Sequence, residues 1–140
     1  PYSGCVMDLV YSEGKNLPLI AADDSHFYGG EQLRSFIMVK AKSLKKKDIL
    51  LALKNGDFYA TQGPCLNVYT ENGYVFANSS PVNSIVFYSD SVFADDRAII
   101  GNGITKAVYR IKPTDTFVRV EATDENGKTA WSSPIFVNRK

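Results

Sequence analysis

The sequence predicts an α/β fragment over residues 1–64 followed by an antiparallel β-sandwich-like domain over residues 65–140. Three observations predict it. Two apolar runs without alternation, LPLIAA (17–22) and SFIMVKA (35–41), lie between stretches of helical spacing, the pattern of strands covered on both faces. After Gly63-Pro64 the texture changes to short β-rich runs joined by Asn-Gly turns. No helical spacing is credible beyond residue 64.

Taken in order, SGCVMDLVYSEG (3–14) predicts a helix: Ser3 is placed to cap it, Val6, Leu9 and Val10 share a face, and Gly14 suits a left-handed stop. LPLIAA reads as a buried strand that breaks into polar DDSH, and Gly29-Gly30 opens a loop before the second strand. SLKKKDILLALKNG (43–56) predicts a second helix, with Ser43 as N-cap, Ile49, Leu50 and Leu53 at helical spacing and Gly56 as the stop. Hairpins are expected at Asn72-Gly73 and Asn126-Gly127. Between them, Val118, Val120 and Ala122 alternate with Arg119 and Glu121, so one face is expected to be buried and the other wet.

The 140 residues are 44% hydrophobic, enough for a sizeable core. Lys+Arg 16 against Asp+Glu 15 leaves a net charge of +1, which gives no push towards nucleic acid or a membrane surface. No apolar run approaches the roughly 20 residues that span a bilayer, and no secretory signal opens the chain. Cys5 and Cys65 do not make a disulfide framework; both read as small semi-buried residues of a reducing, cytoplasmic compartment. Beginning at Pro1 without methionine points to an N-terminus made by processing, tag removal or truncation.

The lone histidine, His26, stands two residues after Asp24. A carboxylate and an imidazole just past a strand end can share a pocket and suit zinc, iron or manganese. The plainer reading makes Asp23 and Asp24 turn residues and His26 a surface residue. Lys40, Lys42, Lys45, Lys46 and Lys47 could hold phosphate, but with no interleaved aromatic or glycine-rich partner they read better as a solvated face. Trp131, Tyr69, Tyr74, Tyr88 and Tyr109 could stack on sugars or fill the core margin.

LIAADDSHFYGGEQLRSFIMVKAKSLKKKDILLALKNGDFYATQGP resembles the last section of the polymerase and histidinol phosphatase (PHP) superfamily of metal-dependent phosphoesterases, in the group with a C-terminal β extension. The residues that carry the likeness are Asp24, His26, Gly29-Gly30, Ile49-Leu50, Ala52-Leu53, Gly56, Phe58-Tyr59-Ala60 and Gly63-Pro64, and the closing hairpin from Asp124 to Ile135. The triple lysine departs from the family's helix start, where acidic or neutral residues are usual.

The resemblance implies that residues 1–64 are the closing strands and helices of a PHP-type distorted β/α barrel, with Asp24 and His26 as the last pair of metal ligands. It transfers no ligand role to Asp23, whose carboxylate is expected to steady the turn or a ligand's surroundings. A divalent metal (Zn, Mn or Fe) in the full-length parent would activate water against a small phosphorylated substrate. The family's other ligands belong to an upstream PHP-domain segment, so the fragment alone is expected to be inactive and to bind metal weakly or not at all. Substrate-binding residues are not identified. Neither nucleic acid nor membrane is an expected partner, and exposed strand flanks make self-association of the fragment an expectation. The competing reading is a non-catalytic β-rich module that binds carbohydrate or a protein partner through Trp131 and nearby tyrosines.

Overall fold

Gly4, Asp8 and Tyr11 recur at i, i+4 and i+7, so they fall on one side of a helix. That side faces the protein in α1 (Gly4–Ser12), where Gly4 and Tyr11 are buried. The structure, a computed structural model, describes residues 3–91 and 93–137. Besides α1 its described elements are β1 (Phe36–Val39), α2 (Lys46–Asn55), β2 (Phe58–Thr61), β3 (Leu66–Glu71), β4 (Tyr74–Ser89), β5 (Ala98–Arg110), β6 (Phe117–Thr123), β7 (Thr129–Trp131) and β8 (Ile135–Phe136).

The fold is mostly β, and the expected α/β fragment of a β/α barrel is wrong. LPLIAA has no regular structure, and β1 pairs antiparallel with β2, Phe36 facing Thr61 and Val39 facing Phe58. Every described strand pair is antiparallel, in a sheet that curls into a half-barrel. The order is β1-β2-β7-β6-β4-β3, with β5 on β4 and β8 on β6. The physical reason is local. β1 is only partly covered, so its apolar composition does not report the two-sided burial of a parallel strand. Because β2 precedes Pro64 and pairs with β7, one sheet runs across the expected boundary at residues 64/65.

Long β4 produces the curl. Its first half pairs with β3 and its second with β6, while β5 follows both. Register shifts between Asn78, Val82 and Ser84 mark bulges, which bend a strand and increase its twist. The concave side then closes on itself: Val75, Ile85, Phe87, Tyr109, Val120 and Ala122 are fully buried there. Tyr109 stacks on Phe87 at 5.5 Å and donates its hydroxyl to buried Asp115 at 3.0 Å; burial pushes its pKa up.

The Asn-Gly turns hold. Asn72 and Gly73 both have positive φ, 49° and 80°, as a type I′ hairpin turn requires. At the second, Asp124 accepts the Asn126 and Lys128 amides. Helix α2 ends where Gly56 turns left-handed at φ 76°, but its N-cap is Lys45, not Ser43. The Ser43 hydroxyl instead donates to Asp48 and accepts the Lys45 amide. Cys5 and Cys65 are exposed, not semi-buried.

The expected wet face of β6 is also wrong. Arg119 is 1% exposed, because α1 docks over it from 111 residues away in sequence. Asp8 takes Arg119 bidentately, through Nε and through Nη2 at 2.7 Å, while Nη1 donates to Glu121. The Tyr88 ring lies 4.1 Å from the guanidinium carbon. Tyr11 meets Phe117 and Phe136 edge-on at 5.5 and 6.4 Å, and burial pushes its hydroxyl up to about 12. Burial likewise raises Glu121 from 4.5 to about 7.

Two outcomes follow from this cluster. Arg119→Ala leaves two carboxylates without their buried cation and is expected to cost about 3–5 kcal/mol in urea denaturation. Between pH 4.5 and about 7 the folded chain holds more protons at Glu121 than the unfolded chain. Its stabilising share is therefore complete below 4.5 and is lost as pH rises through about 7. The denaturation midpoint is expected to fall across that window, and Glu121→Gln to flatten the slope.

Candidate metal-binding loop

The run before the loop is apolar yet unpaired. No backbone group of residues 18–22 has a hydrogen-bond partner among the described residues, and Ile20 is 70% exposed. It is tied at its start, where the Tyr11 hydroxyl donates to the Leu17 carbonyl at 3.0 Å. Behind it lies a cavity of about 470 Å³, walled by Met7 of α1, Pro18 to Ala22, Ser35, Gln62 and Trp131.

From Asp23 onward two carboxylates supply the order that secondary structure does not. Asp23 accepts the Leu33 amide at 2.6 Å and the Ser35 amide at 2.5 Å, closing the segment into a loop. The Ser35 bond first, then burial opposing it and the Leu33 bond reinforcing it, leaves the Asp23 pKa lowered. Glu31 accepts the His26 amide at 2.9 Å and the Tyr28 amide at 3.2 Å. Arg34 donates to the Gly30 carbonyl at 2.7 Å. Asp24 and Phe27 sit at φ 54° and 65°, a left-handed conformation that L residues adopt only when their surroundings impose it.

The bracing acts on the backbone, and the two candidate ligands stay uncommitted. The Asp24 carboxylate and the His26 imidazole are exposed, with no hydrogen-bond partner among the described residues; His26 has only the Tyr28 ring near it, at 6.4 Å. One carboxylate oxygen and one imidazole nitrogen suit zinc, manganese or iron. They do not make a closed site: no group of three or more His, Cys, Asp or Glu able to hold a metal exists among the described residues. Two donors alone do not fit a resident metal.

The other candidates are dispersed. The five lysines, 40, 42, 45, 46 and 47, are all exposed. Tyr109 is in the core, Tyr88 covers Arg119, and Tyr69 stacks on Phe76 at 5.1 Å. Trp131 lies instead across from Glu121 and Ala60, in the wall of the cavity. Sequence reasoning missed Glu31 and the Asp8–Arg119–Glu121 cluster. Glu31, three residues past Tyr28, was legible as a turn acceptor; the cluster had no local signal. Among the described residues, no helix is long and apolar enough to cross a membrane.

If Asp23 holds the loop, Asp23→Ala should strip protection from the Leu33 and Ser35 amides in hydrogen exchange, while β6 and β4 stay protected. Unchanged exchange at both amides would show that the loop is held by something else.

No protein-family model matches this chain, and neither does a curated protein or a solved structure.

Proposed function

We propose that this chain is the C-terminal portion of a metal-dependent hydrolase, a phosphoesterase of the PHP superfamily, to which it contributes Asp24 and His26 as metal ligands. One observation carries the reading. Asp23 and Glu31 spend their carboxylates on backbone amides, and the loop they fix leaves a carboxylate and an imidazole uncommitted two residues apart. The backbone that carries both groups is already ordered, so coordination has only their side chains to fix. The run 18–22, whose backbone groups have no hydrogen-bond partner among the described residues, adds to it: Leu17 and Ile20 are more than half exposed, and open backbone groups beside apolar surface suit contact with further polypeptide.

In this reading the remaining ligands come from sequence upstream of Pro1. A divalent ion, were such a set completed, would supply activated water and charge neutralisation for a small phosphoester. The part played by this chain is narrower: Asp24 and His26 would hold the ion at the loop, Asp23 and Glu31 fix the loop backbone, and the sheet anchors the loop's far end through β1 and its partner β2.

The purified chain alone is expected to show no metal-dependent turnover of p-nitrophenyl phosphate. The polypeptide extended upstream of Pro1 is expected to hydrolyse it with added Zn or Mn, and to lose at least tenfold in metal affinity on either His26→Ala or Asp24→Asn. Turnover by the 140-residue chain alone, or an extended enzyme whose metal affinity is indifferent to both substitutions, overturns the assignment.

A further inference from the structure

Four asparagines of this chain precede a glycine: Asn55, Asn72, Asn102 and Asn126. Such a pair carries its own reactivity, because a glycine without a side chain lets its backbone nitrogen approach the asparagine side-chain carbonyl. The fold treats the four pairs differently. The Gly56 nitrogen donates to the Leu53 carbonyl at 3.2 Å, and the Asn55 side chain donates to Asp57 at 3.4 Å. The Gly127 nitrogen donates to the Asp124 carbonyl at 3.1 Å, and the Asn126 amide donates to the Asp124 side chain. Asn72-Gly73 is pinched between the paired residues Glu71 and Tyr74, and the Gly73 carbonyl accepts the Ile111 amide at 3.0 Å. Asn102-Gly103 stands apart. The β4–β5 register passes from Ser84–Ile100 to Val82–Ile104, so Gly101, Asn102 and Gly103 lie opposite the single residue Asn83. Asn102 and Gly103 are both exposed. With glycine on either side and outside the register, this asparagine turns about its backbone at low cost.

We propose that Asn102 is a modification site, at which the folded chain selectively loses its side-chain amide. The Gly103 nitrogen gives its proton to solvent base and attacks the Asn102 side-chain carbonyl carbon. A carbon–nitrogen bond forms and closes a succinimide ring; the bond to the amide nitrogen breaks, and that nitrogen takes a proton from water and leaves as ammonia. Water then opens the ring at either carbonyl, giving aspartate or isoaspartate. No oxidant or reductant is consumed. Isoaspartate adds a methylene to the main chain of β5, and a bulge that already carries surplus residues absorbs it, so the pairs Ser84–Ile100 and Val82–Ile104 persist. Either product takes the formal net charge of the chain from +1 to zero, which weakens the repulsion that keeps copies apart.

The folded 140-residue chain, held at mildly alkaline pH beside the same chain unfolded in guanidinium, tests the site by peptide mass mapping. In the folded chain Asn102 is expected to convert first, with release of ammonia and an acidic band in isoelectric focusing. In guanidinium the four pairs are expected to convert at comparable rates, since nothing then holds the other three. Asn102→Gln is expected to lose the early acidic band, and Asn102→Asp to run at its position from the start. The site is overturned by an Asn102 that does not convert, by conversion led by Asn55, Asn72 or Asn126, or by an early acidic band that survives in Asn102→Gln. An equal lead of Asn102 in guanidinium overturns the selection by the fold.

Discussion

The buried guanidinium of Arg119 is the constraint on which the arrangement of this protein depends. The concave side of the sheet needs no help: its apolar strands close over one another, with Tyr109 and Asp115 satisfying each other inside. The convex side has a strand, β6, that carries an arginine where a covered surface is built. A charge removed from water is tolerated only with a partner in good geometry, and Asp8 supplies it bidentately. That pairing brings α1 onto the sheet, and with α1 come Tyr11, the tether to Leu17 and one wall of the cavity beside Trp131.

From there the loop of residues 23–35 acquires its character. It leaves the tethered run, enters β1 at Phe36, and has no strand or helix of its own. Its order comes from side chains acting as surrogate backbone acceptors, Asp23 for Leu33 and Ser35 and Glu31 for His26 and Tyr28. Left-handed Asp24 and Phe27 are the conformational consequence. The loop thus combines left-handed backbone with an imidazole and one carboxylate that no described residue engages.

The two halves differ in how they meet solvent. Beyond residue 64 the large apolar side chains mostly turn inward, whereas Leu17, Ile20, Phe27, Leu33, Leu44 and Leu50 stand more than half exposed before it. The lysines around the start of α2 keep that helix wet, and only Ala52 of it is buried. Most of the exposed large apolar side chains among the described residues thus lie on the N-terminal half.

Read without coordinates, the chain already determined its local punctuation: helices ending at Gly14 and Gly56, hairpins turning at Asn72-Gly73 and Asn126-Gly127, and a C-terminal half without helix. These depend on a residue's own φ and its immediate neighbours, so a sequence carries them openly. That Asp24 and His26 share one loop follows from the same short range, two residues apart in the chain. Only tertiary structure decided the rest. A short apolar run reads alike whether its partners lie parallel, antiparallel or nowhere, so LPLIAA and FIMV could not disclose that one is unpaired and the other an antiparallel edge. Alternation on β6 said which residues share a face, not what covers it, and a salt bridge between residues 8 and 119 is invisible to any local pattern. Long-range pairing is a property of the folded surface, and it is what turned an expected wet face into the seat of α1.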